Sequence, residues 1–249
     1  MSNTLQKLDE IEEIVSQGPK GTSQEIRNQF WRIVRQIKRT PNPDIKEVQQ
    51  AARIRNILFR TRRGRTYPLW PCVSLLTLIG VLGPTIWYLR LLEIPLNWGA
   101  ILVWTNSDWW IFLRRLGSLL GTTFCFYPFG RLIAGKWAGI KIDGMIRGMY
   151  GEPTLKIDYE TFLLATPSKR KWFFFFAGLW TIITSFALGL VGLVLVGDHC
   201  GTITVLFLGI SEGAAIWSGT THNIGGEMAH YNRERKIEQA WRKNQELTG

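Results

Sequence analysis

Cysteine and histidine are scarce in this chain, three of each among 249 residues. Cys72, Cys125 and Cys200 are widely spaced and odd in number. That excludes a disulfide framework and a zinc knuckle and leaves them as small packing residues. There is no phosphate-binding loop, nucleophile elbow, dinucleotide fingerprint or internal repeat, so nucleotide-dependent and serine-hydrolase chemistries have no footing and transport has little. Acidic residues are a minority, 19 against 30 lysines and arginines. The most telling absence is local: residues 68–89 and 172–197 carry no charged side chain. Each run exceeds the roughly 20 apolar residues that a helix needs to cross a bilayer core.

Stretches at 116–140 and 201–220 are nearly as apolar, whereas residues 1–67 are polar and basic. A mean hydropathy near zero is therefore the average of two unlike materials. The N-terminus carries Asp9, Glu10, Glu12 and Glu13, and the first apolar run begins only at Pro68. No cleaved leader is expected, and residues 68–89 should insert as an uncleaved anchor.

Lysine and arginine accumulate in loops retained in the cytoplasm. Fourteen precede the first run, three lie between the first and second (Arg90, Arg114, Arg115), and eight run from Arg131 to Lys171. The turn Asp198-His199-Cys200 has none, and the tail has five. Four crossings with both termini cytoplasmic fit this alternation. The expected fold is an all-α integral membrane protein with four transmembrane helices and N-terminal cytoplasmic helices. A short cytoplasmic β segment should lie between helices two and three. The divisions are a basic region at 1–67, a membrane core at 68–220 with a cytoplasmic loop at 141–171, and a C-terminal helix at 221–249. The membrane would be an inner, plasma or equivalent energy-transducing one. Trp70, Trp87, Trp98, Trp104, Trp109, Trp110, Trp137, Trp172 and Trp217 fall mostly near proposed span ends, where amphipathic rings prefer the headgroup region. Gly83-Pro84 should kink the first span.

Leu5, Leu8, Ile11, Ile14 and Val15 repeat at helical spacing up to Gly18-Pro19. Thr22 with Glu25 reads as a capping box for a second helix carrying Ile26, Phe30, Ile33, Val34 and Ile37. Asp44 with Glu47 can cap a third, with Ile45, Val48, Ala52 and Leu58 inward. The cluster Arg53, Arg55, Arg60, Arg62, Arg63 and Arg65 abuts the first span. Contact with anionic lipid, about 1 kcal/mol per basic residue, explains it better than nucleic acid, which is not an expected partner.

The stretch Tyr127-Pro128-Phe129-Gly130-Arg131, followed by Ala134-Gly135-Lys136-Trp137-Ala138-Gly139-Ile140 and, later, Ala177-Gly178, resembles the site-2 protease class of intramembrane metalloproteases. The resemblance covers residues 120–185 and the tail from Thr220, but not the first 67 residues. It implies a helix carrying His-Glu-x-x-His and a small β segment after it. On that alignment the metal ligands fall on Tyr127 and Arg131, and the catalytic glutamate on Pro128. An arginine offers no lone pair to a cation, so the implied metal site is degenerate and no cofactor is expected. His199 should lie outside, and His222 and His230 inside. Glu227-x-x-His230 has the spacing of half a di-iron site, with no second copy.

Two charges remain within the apolar stretches, Glu212 and Arg131. Counted from the outer face, their depths differ by about 6 Å at 1.5 Å rise per residue. The pairing expected from this count is Arg131 with Glu212; the alternative has Arg131 reaching the inner headgroups and Glu212 protonated or hydrogen-bonded to nearby hydroxyls. The function expected is a non-catalytic polytopic membrane protein with a site-2-protease-like core that binds protein or lipid partners. The alternatives are a metalloprotease with rearranged ligands and an accessory subunit of a respiratory or photosynthetic membrane complex.

Overall fold

The structure is a computed structural model that describes residues 3–18, 22–63, 65–147, 153–217 and 227–248. It is mostly helical, with one two-stranded antiparallel sheet. The chain forms two compact units. One comprises residues 1–69, 135–173 and 231–249, the other residues 70–134 and 174–230. The N-terminal region, the central polar loop and the tail, which the sequence presents as separate segments, thus share a single unit. All thirty lysines and arginines except Arg90, Arg114, Arg115 and Arg131 belong to it.

In this first unit, α1 (Asn3–Ser16), α2 (Gln24–Arg39) and α3 (Ile45–Arg63) bury the apolar positions that repeat along them. Leu8, Ile11, Val15, Phe30, Ile33, Val34, Ile37, Val48 and Ala52 are all buried. Each large apolar side chain among them contributes about 1.5–3 kcal/mol. Two local expectations are corrected. Ser23, not Thr22, caps α2, because its extended backbone aims its hydroxyl at the Ile26 N–H; Thr22 instead donates to the Gly18 carbonyl. Ile45 is exposed, since it is the first residue of α3 and projects off the packed face, while Ala51 and Ile54 are buried in its stead.

Strands β1 (Ile142–Arg147) and β2 (Pro153–Ile157) pair antiparallel, and Tyr67 bridges to Met145 on β1. The short helix α7 (Tyr159–Leu164) follows, capped by Asp158. It packs on α3.

The second unit holds the apolar helices. The first run is α4 (Leu69–Gly80), a π-helical turn at Val81–Thr85 containing Pro84, and α5 (Ile86–Leu91). The wide turn accommodates the ring and the missing N–H of Pro84 without ending the helix. After a 3₁₀ turn at Trp98–Val103 comes α6 (Asn106–Ala138), 33 residues long. It begins ten residues earlier than expected, which moves Arg114 and Arg115 from a connecting loop into the helix. Gly139, at φ +74°, turns the chain out of α6, with the Ile140 N–H closing back on the Gly135 carbonyl. Next are α8 (Pro167–Val196), α9 (Cys200–Trp217) and α10 (Glu227–Thr248). Helices α6, α8 and α10 each contribute residues to both units.

Two helical runs, Leu69–Leu91 and Pro167–Val196, are long and apolar enough to cross a membrane; α9 is apolar but shorter. Only 17% of the apolar window in each long run is buried. The core helix of a water-soluble domain would bury most of such a window, so an apolar solvent is the environment these surfaces fit. Where α8 and α9 meet, Gly189 and Gly201 touch backbone to backbone, and a Cβ on either would collide with the other. Small residues allow this close approach, as they do where membrane helices pack.

Candidate functional site

The site that the sequence singles out centres on Arg131 of α6. Its Nε donates to Glu227 Oε1 at 2.7 Å, and its Nη2 lies 2.5 Å from the same oxygen. The Tyr127 hydroxyl, one turn earlier, donates to that oxygen too. The Arg131 guanidinium also lies 5.6 Å from the centre of the Tyr127 ring. Pro128 lies between them inside the helix. Glu227 is 3% exposed, and its other oxygen, Oε2, has no hydrogen-bond partner among the described residues.

The expected pair of Arg131 with Glu212 is therefore corrected: Glu227 is the carboxylate on Arg131. Glu212 is half-buried and takes the Met228 backbone N–H instead. The reason is local packing. Gly178 of α8 leaves room for the first turn of α10, so closely that a Cβ there would lie 3.0 Å from Met228 Cε and 3.2 Å from Glu227 Cβ. Counting depth along α6 and α9 cannot register a third helix entering at the same level. An acidic residue in the first turn of α10 also suits the positive end of the helix dipole.

A second cluster was not expected. Asp198, in the turn after α8, is fully buried and bonded on both oxygens. Arg115 Nη1 donates to Oδ1 at 2.6 Å, and the Tyr88 hydroxyl to Oδ2 at 3.0 Å. Arg115 Nη2 donates to the Leu91 and Ile94 carbonyls at 2.9 and 2.5 Å, closing the C-terminal end of α5. Gly197, at φ +65°, makes the turn that drives Asp198 inward. Gly192 leaves space for the Tyr88 hydroxyl, onto which a Cβ would fall. Around the cluster pack Leu92, Leu119 and Cys200.

The third cluster lies in the first unit. Glu234 of α10 receives Lys38 Nζ at 2.5 Å and Arg170 Nε at 2.8 Å. The rest of the Arg170 guanidinium donates to the carbonyls of Leu163, Ala165 and Lys38, at the C-terminal ends of α7 and α2. Burial pushes the Glu234 carboxyl up, but the charges of Lys38 and Arg170 more than reverse this and hold it below the usual range. Four residues on, Glu238 takes Lys171 Nζ at 2.5 Å and Arg242 at 2.9 Å. Glu227, Glu234 and Glu238 recur at seven and four residues, one face of a helix. That acidic stripe was the signal in the sequence for what α10 does.

Among the arginines that precede α4, Arg53 pairs with Glu12 at 3.1 Å, and Arg55 covers the rings of Phe59 and Tyr159. These two therefore work inside the first unit, while Arg60 and Arg65 are exposed. The side chains of Arg62 and Arg63, together with His222, Asn223 and Gly225-Gly226, lie outside the described residues. His199 sits edge-on to Trp98 with centroids 5.3 Å apart, and His230 stacks on Phe174 at 4.9 Å.

Among the described residues, no three His, Cys, Asp or Glu side chains are placed to share a metal ion. Chemically, the Arg131 cluster is a neutralised carboxylate with donors crowded on one oxygen. It ties α6 to α10 and leaves the second carboxylate oxygen, Oε2, unbonded among the described residues. No family model, no curated protein and no solved structure matches this chain.

Proposed function

We propose that this chain is a non-catalytic polytopic membrane protein that crosses the bilayer four times and binds protein or lipid partners. Its core would follow the frame of the site-2 protease class with the metal centre replaced by an ion pair. One observation carries the reading: Arg131, on the position where that class places a ligand, holds a buried carboxylate with its guanidinium. A cation at the same place would be repelled by the guanidinium.

The topology has independent support. The three segments that the charge rule assigns to the cytoplasm are the three that fold into one unit. The two charge-poor connections also meet within the other unit, through Trp98 with His199, and Arg115 of α6 joins them by bonding both Asp198 and the Ile94 carbonyl. α6 and α9 would then complete the four spans, with Arg115 and Arg131 tolerated in α6 because each is paired with an acid. Exposed Arg60 and Arg65 are available to anionic headgroups beside the first span.

Elemental analysis of the full chain, purified in mild detergent, tests the non-catalytic reading. The expected result is zinc far below one per chain, unaffected by chelator, with no cleavage of a transmembrane substrate. One zinc per chain, removed by chelator together with a proteolytic activity, would establish the enzyme instead.

A further inference from the structure

The second unit contains four basic side chains, and three of them are paired: Arg90 with Glu93, Arg115 with Asp198 and Arg131 with Glu227. Arg114 has no acidic partner among the described residues, although the next residue, Arg115, is paired with Asp198. It is exposed on α6 and lines a concavity of about 340 Å³ with Ser107, Trp110 and Ile111. These positions lie seven, four and three residues earlier, so all four share one face of the helix.

The surroundings of that face are apolar. Trp110 is 62% exposed and Leu113 51%, the surface expected against lipid rather than water. An unpaired guanidinium on such a surface needs an anion. Helical side chains lean toward the helix N-terminus, so Arg114 points up the groove toward Ser107. Asn106, where α6 begins, is only about 12 Å away along the axis at 1.5 Å per residue. That distance is within the span of a long side chain and a lipid headgroup. A tryptophan beside the groove suits the headgroup level as well.

We infer that Arg114, with Ser107 and Trp110, forms a binding site for the phosphate of a membrane phospholipid in the leaflet that receives the start of α6. The guanidinium supplies a charge-assisted fork to the phosphodiester, while Ser107, whose hydroxyl is hydrogen-bonded to Thr105 Oγ1, lines the upper end of the site. Ile111 and the Trp110 ring offer apolar surface to the first part of the acyl chains. The inference rests on the membrane-spanning reading above and adds to it one defined lipid site, separate from the basic residues before the first span.

The test is native mass spectrometry of the full chain, delipidated in mild detergent and titrated with phosphatidylglycerol. Arg114→Ala should weaken the tightest lipid-binding step about tenfold, while Arg114→Lys retains most of it and Arg90→Ala leaves it unchanged. Millimolar inorganic phosphate should not displace the lipid, because it lacks the apolar contacts. Equal lipid occupancy in wild type and Arg114→Ala overturns the site, as does displacement by free phosphate. So does tight, Arg114-dependent binding of an acidic peptide in place of lipid. Carbonate washing of membranes separates the two levels of failure. A chain that washes off contradicts the spanning reading together with the site, whereas a retained chain with unaltered lipid binding contradicts the site alone.

Discussion

Asp198→Ala is expected to destabilise the protein by about 3–5 kcal/mol, because it leaves the Arg115 guanidinium buried without its counter-charge. Arg115 is 1% exposed and Asp198 fully buried, so water cannot rescue either partner. Arg115→Ala should cost a similar amount, since it also strips the Leu91 and Ile94 carbonyls of their donor. Replacing both, with Arg115→Met and Asp198→Leu, should recover part of the loss but not all of it. The isolated charge disappears, yet the two carbonyls and the Tyr88 hydroxyl remain unpartnered. Arg90→Ala provides the contrast, because its pair with Glu93 is exposed on both sides and should be worth about 0–1 kcal/mol. Thermal unfolding of the four variants in detergent measures all of this. Asp198→Ala melting with wild type would show that the buried pair does not hold the turn to α5 and α6.

Glu234→Gln should be nearly as damaging in the first unit. Lys38 and Arg170 would then face each other across a buried space with no carboxylate between them. A loss of about 3–5 kcal/mol at neutral pH is expected. The pH dependence has a definite sign. Glu234 titrates lower in the folded protein than in the unfolded chain, where a glutamate titrates near ~4.3. Its stabilisation is therefore complete above that value and is lost as pH falls through the lowered folded value. Melting temperatures of wild type and Glu234→Gln should differ most at neutral pH and converge on acidification. A gap that stays constant down to pH 3 would mean that ionised Glu234 is not what holds the cluster.

Local structure was largely legible in the sequence. The periodic apolar positions of α1 to α3, the breaks at Gly18 and Pro41, the β segment after Gly139 and the two uncharged runs all follow from spacing and turn chemistry. The partners of buried charges were not. Asp198 stands in the connection with the fewest basic residues and reads as a solvated turn acid, and Arg115 reads as a loop charge outside a span. Only the inward turn at Gly197 and the early start of α6 bring the two together. Glu227 was missed for a related reason. Its partner depends on α10 docking beside Gly178, and no periodicity along α6 or α9 carries that information. A pattern along one helix fixes which face is buried; which acid meets which base is a property of several helices at once.

Thiol accessibility in sealed vesicles tests the proposed arrangement most directly. Single cysteines introduced at the exposed positions Ser16, Lys141 and Glu246 report the three segments of the first unit, and cysteines at Glu93 and Asn106 report the connection before α6. The four-span reading predicts that an impermeant maleimide reaches Glu93→Cys and Asn106→Cys from one side of the membrane, and Ser16→Cys, Lys141→Cys and Glu246→Cys only from the other. Labelling of any of those three from the same side as Glu93→Cys would contradict it.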